Sequence, residues 1–265
     1  MNRTNNYKAT LEFIEIFDMF TILPCNFTIE TIPYNRKTAQ LRYNLIHEEF
    51  NELKDAIRDR NFIEVIDALT DILYVVYGAG ATFALNLESS FKDYLTENNL
   101  INTLNNNNDT HFTYFTQNKD SFVPNVDFFN NSDDMEFINK QISSMELGLK
   151  NLETILVNHI GCEGLQNSLH FFNYCVYLIG VYLQIDLDRS FDIVHSSNMS
   201  KVCNSQEEAE KTKEWYLNNE KRYDSPTVFE STKFKGKYLV RNASTGKALK
   251  NINYTAANFS SMLPQ

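Results

Sequence analysis

Glycine and proline are scarce, with 8 and 5 copies in 265 residues. That is too few for a loop-rich β protein and ample for a helical one. Cysteine is scarce as well. Cys25, Cys162, Cys175 and Cys203 form no CxxC pair and no disulfide framework. His159 and Cys162 lie three apart, but no second pair completes a zinc site, so these residues read as structural. Free thiols fit a reducing compartment, and the expected location is cytoplasmic. Basic runs are missing. The net charge is −10 and no dense Lys/Arg stretch occurs, which excludes the basic patch of a nucleic-acid binder. Long hydrophobic runs are missing too. The apolar stretches at 72–87 and 171–185 fall short of the ~20 residues of a membrane span and read as buried core helices. The first twenty residues carry Glu12, Glu15 and Asp18 within their apolar part, so they do not read as a signal peptide. No Glu-x-x-His occurs, which leaves a di-iron carboxylate bundle without its signature.

What is present is acid, in two short clusters. Glu48, Glu49 and Glu52 lie in HEEFNEL, and Glu64, Asp67 and Asp71 lie in EVIDALTD. Both segments have helical periodicity, and residues three and four apart share a helix face. Most acidic clusters on helices are solvated. These two sit against apolar residues instead. Leu45, Ile46, Phe50 and Leu53 surround the first, and Asp67 and Asp71 open the run ILYVVYGAGATFALNL. Carboxylates crowded at the edge of a core repel one another unless a cation compensates. Hard oxygen donors in this number suit Mg²⁺, with Mn²⁺ as the substitute, and such ions commonly hold substrate phosphates.

The length allows one large domain or two small ones. Helices are expected at 8–20, 38–59, 61–85 and from about Leu87, then at 134–157 and 163–185. Asn61 is the expected N-cap of the 61–85 helix. Between the two sets, residues 98–109 hold seven Asn, too little apolar content for a core. The second half repeats the first. Residues 67–91 align without a gap on 167–191, with Leu69, Tyr74, Val76, Tyr77, Gly80, Leu87, Ser90 and Phe91 matching Leu169, Tyr174, Val176, Tyr177, Gly180, Leu187, Ser190 and Phe191. The acids are not repeated: Glu64, Asp67 and Asp71 face Gly164, Asn167 and Phe171. The expected organisation is a first helical repeat with the metal site (1–97), a polar insert (98–133), a degenerate second repeat (134–202) and a lysine-bearing tail (203–265).

The pattern Glu49-x-x-Glu52 followed by Glu64-x-x-Asp67 resembles the MazG-like all-α nucleoside triphosphate pyrophosphatases, in particular their phosphoribosyl-ATP pyrophosphohydrolase-like branch. RYNLIHEEFNEL and EVIDALTDILYVVYGAG look like that branch's two catalytic helices. Val194, His195, Ser197, Asn198, Met199, Ser200 and Lys201 match its VHxSNMSK element, and Gly246, Lys247, Lys250 and Tyr254 look like its GK-x-x-K element. The resemblance implies an all-α helical bundle, here built from two duplicated units. It also implies Mg²⁺-dependent hydrolysis of a (d)NTP to the monophosphate and pyrophosphate. By this resemblance Glu49, Glu52, Glu64 and Asp67 hold metal; Asp71, one turn beyond Asp67, is expected to hold a further ion or orient a ligand, and Glu48, which precedes the ligand pair, is expected to act as the general base. Asn198, Lys201, Lys247 and Lys250 contact the nucleotide. A homodimer or an internal pseudo-dimer completes the bundle. The lysines reach the acids either from the same chain or from a neighbouring one. The alternative is a degenerate helical protein that binds nucleotides without turnover.

Overall fold

The computed structural model describes residues 5–17, 29–100 and 122–264. Cys25 and most of the Asn-rich insert, Asn105 to Asn108 included, lie outside these. Among the described residues the architecture is all-α, with eight α-helices and one two-stranded sheet. Helix α1 spans Asn6–Ile16, α2 Arg36–Arg58, α3 Phe62–Thr82 and α4 Leu87–Glu97. After the insert come α5 (Ser132–Leu156), α6 (Leu165–Tyr182) and α7 (Leu187–Met199). The tail is folded. It forms α8 (Gln206–Asn219) and a hairpin of β1 (Pro226–Glu230) and β2 (Tyr238–Asn242) around a small core of Cys203, Ala209, Tyr216, Val240 and Leu249. No single described helix is long and apolar enough to cross a membrane.

Asparagine sets several helix starts, because its short amide accepts an otherwise orphaned backbone N–H. Asn61 caps α3 as expected, accepting from the Glu64 N–H at 3.3 Å. Asn5, Asn86 and Asn131 cap α1, α4 and α5 in the same way.

The two halves use one plan. In each, an apolar helix breaks sharply into a short one: α3 and α4 meet at 103°, and the second-half pair at 115°. The breaks share their construction. Ala84 and Gln184 both adopt left-handed backbone, with φ of 57° and 54°. The Leu85 N–H donates to Gly80 O at 2.8 Å, and the Ile185 N–H donates to Gly180 O at 2.7 Å. A Cβ on Gly80 would stand 2.7 Å from Leu87 Cγ, and one on Gly180 would stand 2.4 Å from Leu187 Cδ1. Only glycine lets the short helix fold back so closely.

Each apolar helix packs on the other and on the short helix of the opposite half. The Tyr77 and Tyr177 hydroxyls meet at 3.2 Å. Thr70 reaches Ser190 at 2.7 Å, and Ser90 reaches His170 at 2.9 Å, the same positions exchanged between halves. The outer helices agree as well. Moving the buried residues of α2 forward by 99 (Ala39, Arg42, Ile46, Phe50, Leu53, Ala56, Ile57) gives Ile138, Gln141, Met145, Leu149, Leu152, Ile155 and Leu156, which are all buried in α5.

Candidate active site

Helix α3 is buried on all but one stripe. Its only residues that escape burial are Ile63, Glu64, Asp67, Asp71 and Val75. The acids therefore occupy the single open edge of the most apolar helix. Helix α2 is anchored by Ile46, Phe50 and Leu53, and it presents Glu49 and Glu52 beside that edge. Glu49, Asp67 and Asp71 are half-buried, whereas Glu48, Glu52 and Glu64 are exposed.

The electrostatics show that the six acids form one group. Burial, followed by repulsion from Asp71, Glu52, Glu48 and Asp67, pushes Glu49 up to about 9. Burial and Asp67 hold Asp71 at about 7. Burial, then Glu64 and Glu52, hold Asp67 at about 6. Glu52 is also raised, by desolvation first and then by Glu48 and Glu64, with a hydrogen bond from Glu49 acting the other way. Among the described residues no three His, Cys, Asp or Glu side chains stand close enough together to cage a metal ion.

Lysines face the acids from the same chain. Lys201, half-buried at the end of α7, lies in the field of Asp71 and Glu49. Lys247 acts on Glu52, and Lys250 acts on Asp67. Lys201 also feels Lys250 and Lys247, which lower its pKa after desolvation. The folded tail holds the last two in place. Asn251 donates to Glu208 Oε1 at 2.8 Å and to Val202 O at 3.1 Å, and the Lys250 N–H donates to Tyr216 Oη at 3.0 Å. Tyr254 Oη reaches Ser197 Oγ at 2.9 Å, and the Lys250 ammonium sits 4.6 Å above the Tyr254 ring. Asn198 accepts from Lys201 Nζ at 2.6 Å. All ten residues singled out in the sequence thus gather at one place.

Sequence comparison agrees. Residues 27–98 match the family model described as phosphoribosyl-ATP pyrophosphohydrolase, part of the MazG-like superfamily. The chain belongs to that superfamily. Its catalytic class follows at the coarse level, a pyrophosphohydrolase acting on nucleotide phosphoanhydride bonds. The match takes in both acidic helices and stops before the SNMSK element. A relative in Acanthamoeba polyphaga mimivirus, an uncharacterized protein, is 31% identical over 273 residues, covering 98% of this chain and 96% of its own. No solved structure matches.

The sequence reading missed two contributors. Tyr74 lies one turn beyond Asp71, and its hydroxyl is 3.1 Å from His195 Nδ1. Glu12 of α1 approaches the other ring nitrogen, Nε2, at 3.7 Å. The signal for Tyr74 was its spacing of three from Asp71. Glu12 had none, because α1 is far away in sequence.

Proposed function

We propose that this protein cleaves a nucleoside triphosphate, deoxynucleotides included, to the monophosphate and pyrophosphate in a Mg²⁺-dependent reaction. One observation carries the proposal: Lys201, Lys247 and Lys250 are set against Glu49, Glu52, Asp67 and Asp71, four of the six clustered carboxylates. A cation-binding face opposite an anion-binding face is what a magnesium–polyphosphate requires.

The donor set fits the metal. Glu49, Asp67 and Asp71 keep raised pKa values through mutual repulsion and burial, a cost that a hard divalent cation removes. Glu49, Glu52, Glu64, Asp67 and Asp71 would hold it, and Mn²⁺ would substitute. When bound, it supplies charge neutralisation on the polyphosphate. Glu48, exposed and adjacent to this set, would accept a proton from the attacking water. The three lysines bind phosphate oxygens as point charges. Asn198 fixes Lys201 and offers its amide to the ligand.

We also infer a tandem duplication with one live site, so that the chain is its own pseudo-dimer. The shared helix breaks and the exchanged Thr70–Ser190 and Ser90–His170 contacts support this. The degenerate alternative then describes only the second half.

A panel of NTPs and dNTPs, with phosphoribosyl-ATP included because the matching family bears its name, tests the reaction. With Mg²⁺, chromatography should find monophosphate and pyrophosphate, and chelator should abolish both. A diphosphate with orthophosphate would overturn the proposal.

A further inference from the structure

We propose that Tyr254 is a positioning residue for this reaction: its ring holds the Lys250 ammonium, and its hydroxyl pins that pair to Ser197 on α7. The inference rests on the pyrophosphohydrolase reading above. A lysine is a point charge on a flexible stem, and Lys250 is exposed. Such a side chain must be held in place if it is to meet a phosphate at the acidic edge of α3. The contacts that hold it can be followed atom by atom. The Lys250 ammonium lies 4.6 Å from the centroid of the Tyr254 ring, within cation–π range. Tyr254 Oη meets Ser197 Oγ at 2.9 Å. Ser197 is buried and directly precedes Asn198, which accepts from Lys201 Nζ at 2.6 Å. The end of α7 therefore sets both lysines.

The backbone brings ring and ammonium together. The Lys250 N–H donates to Tyr216 Oη at 3.0 Å, and the buried Asn251 amide donates to Val202 O at 3.1 Å. The Tyr254 N–H donates to Asn251 O at 2.9 Å, closing a turn that returns Tyr254 beside Lys250. The next residue repeats the tie to α7, where the Thr255 N–H donates to Ser200 Oγ at 3.0 Å.

Core packing does not explain the tyrosine. Tyr254 is half-buried and belongs to none of the apolar clusters formed among the described residues. A ring kept for core volume would sit in one of them. This ring carries an ammonium on its face and a hydroxyl tied to a buried serine. Phenylalanine would keep the first contact and lose the second, and leucine would lose both.

The test uses the full-length protein, with circular dichroism confirming that each variant is folded. Tyr254→Leu should raise KM for the nucleotide about fivefold, with the change in KM rather than kcat. Tyr254→Phe and Ser197→Ala should each raise it about twofold, and their combination should add nothing, because both break one contact. In a Lys250→Ala background Tyr254→Leu should have no further effect, because the residue through which Tyr254 acts is gone. A second readout needs no turnover. Reductive methylation with isotope-labelled formaldehyde keeps each lysine's charge and gives it a methyl resonance. The Lys250 signal, identified by its loss in Lys250→Arg, should be shifted upfield by the ring in the wild type. In Tyr254→Leu it should move to the position of an unstacked lysine. An unmoved signal, or an equal rise in KM with and without Lys250, would overturn the inference. If the wild type cleaves no nucleotide, the proposed function fails, and the methyl signal still decides whether Tyr254 holds Lys250.

Discussion

Phe171 lies against Gly148, so close that a Cβ on the glycine would stand 2.9 Å from Phe171 Cδ1. The corresponding pair in the first half is Asp71 and Glu49, where burial and then the charge of Asp71 raise the pKa of Glu49. One half closes the space with a ring over a bare backbone, and the other leaves it to carboxylates. Asn151 donates to Ser168 Oγ at 2.7 Å where the first half has Glu52 and Ala68. The inferred second site is thus filled and satisfied by its own residues.

Gly148→Ala should therefore destabilise the fold. The added methyl meets Phe171 and Phe172, and overpacking typically costs about 1–3 kcal/mol, offset in part by alanine's better helix propensity. A lowered urea midpoint with unchanged m-value checks this. Turnover per folded molecule should be unaffected, since the strain falls in the half without the acidic cluster.

The acidic cluster should make stability fall with pH. Glu49 ordinarily titrates at 4.5 and here at about 9, while Asp71 and Asp67 move from 3.8 to about 7 and about 6. The unfolded chain ionises these groups first, so the folded state holds more protons across that window. Stability contributed at low pH is then lost as pH climbs from about 4 to about 9. Thermal melts in chelator should show a decline that is shallower in Glu49→Gln. Mg²⁺ should raise the Tm more at about pH 8 than at about pH 5. An equal slope in the variant would contradict the assignment.

The lysines should act in cis. Lys250→Ala should raise KM about tenfold, the scale of one charge-assisted phosphate contact. Mixing that variant with inactive Asp67→Asn chains should restore nothing, because each chain's Lys250 faces its own Asp67. Recovery of activity on mixing would place the tail in a neighbouring subunit.

The helices and the acids were legible in the sequence because periodicity and spacing are local. Glu49, Glu52, Glu64 and Asp67 announce a shared face within two adjacent helices. The likeness of α3 and α6 was legible because burial on most sides constrains nearly every residue of each. The match between α2 and α5 was not, because it survives in burial alone: Ile46 and Met145 share a role but not an identity. The fold of the tail was not legible for a related reason. Its small core around Cys203 and Val240 joins residues far apart in the chain. The partners of Tyr74 come from α1 and α7, and only tertiary packing brings Glu12 to His195.

The most direct measurement is pyrophosphate release by Glu49→Gln and Asp67→Asn beside the wild type, at saturating Mg²⁺ and nucleotide. Removing charge from a repulsive cluster should leave the circular dichroism spectrum intact and the Tm equal or higher. Turnover should fall on the order of a hundredfold or more, the scale on which charge-stabilising groups act in such sites. Full activity in either folded variant would contradict a metal–nucleotide site on the open edge of α3.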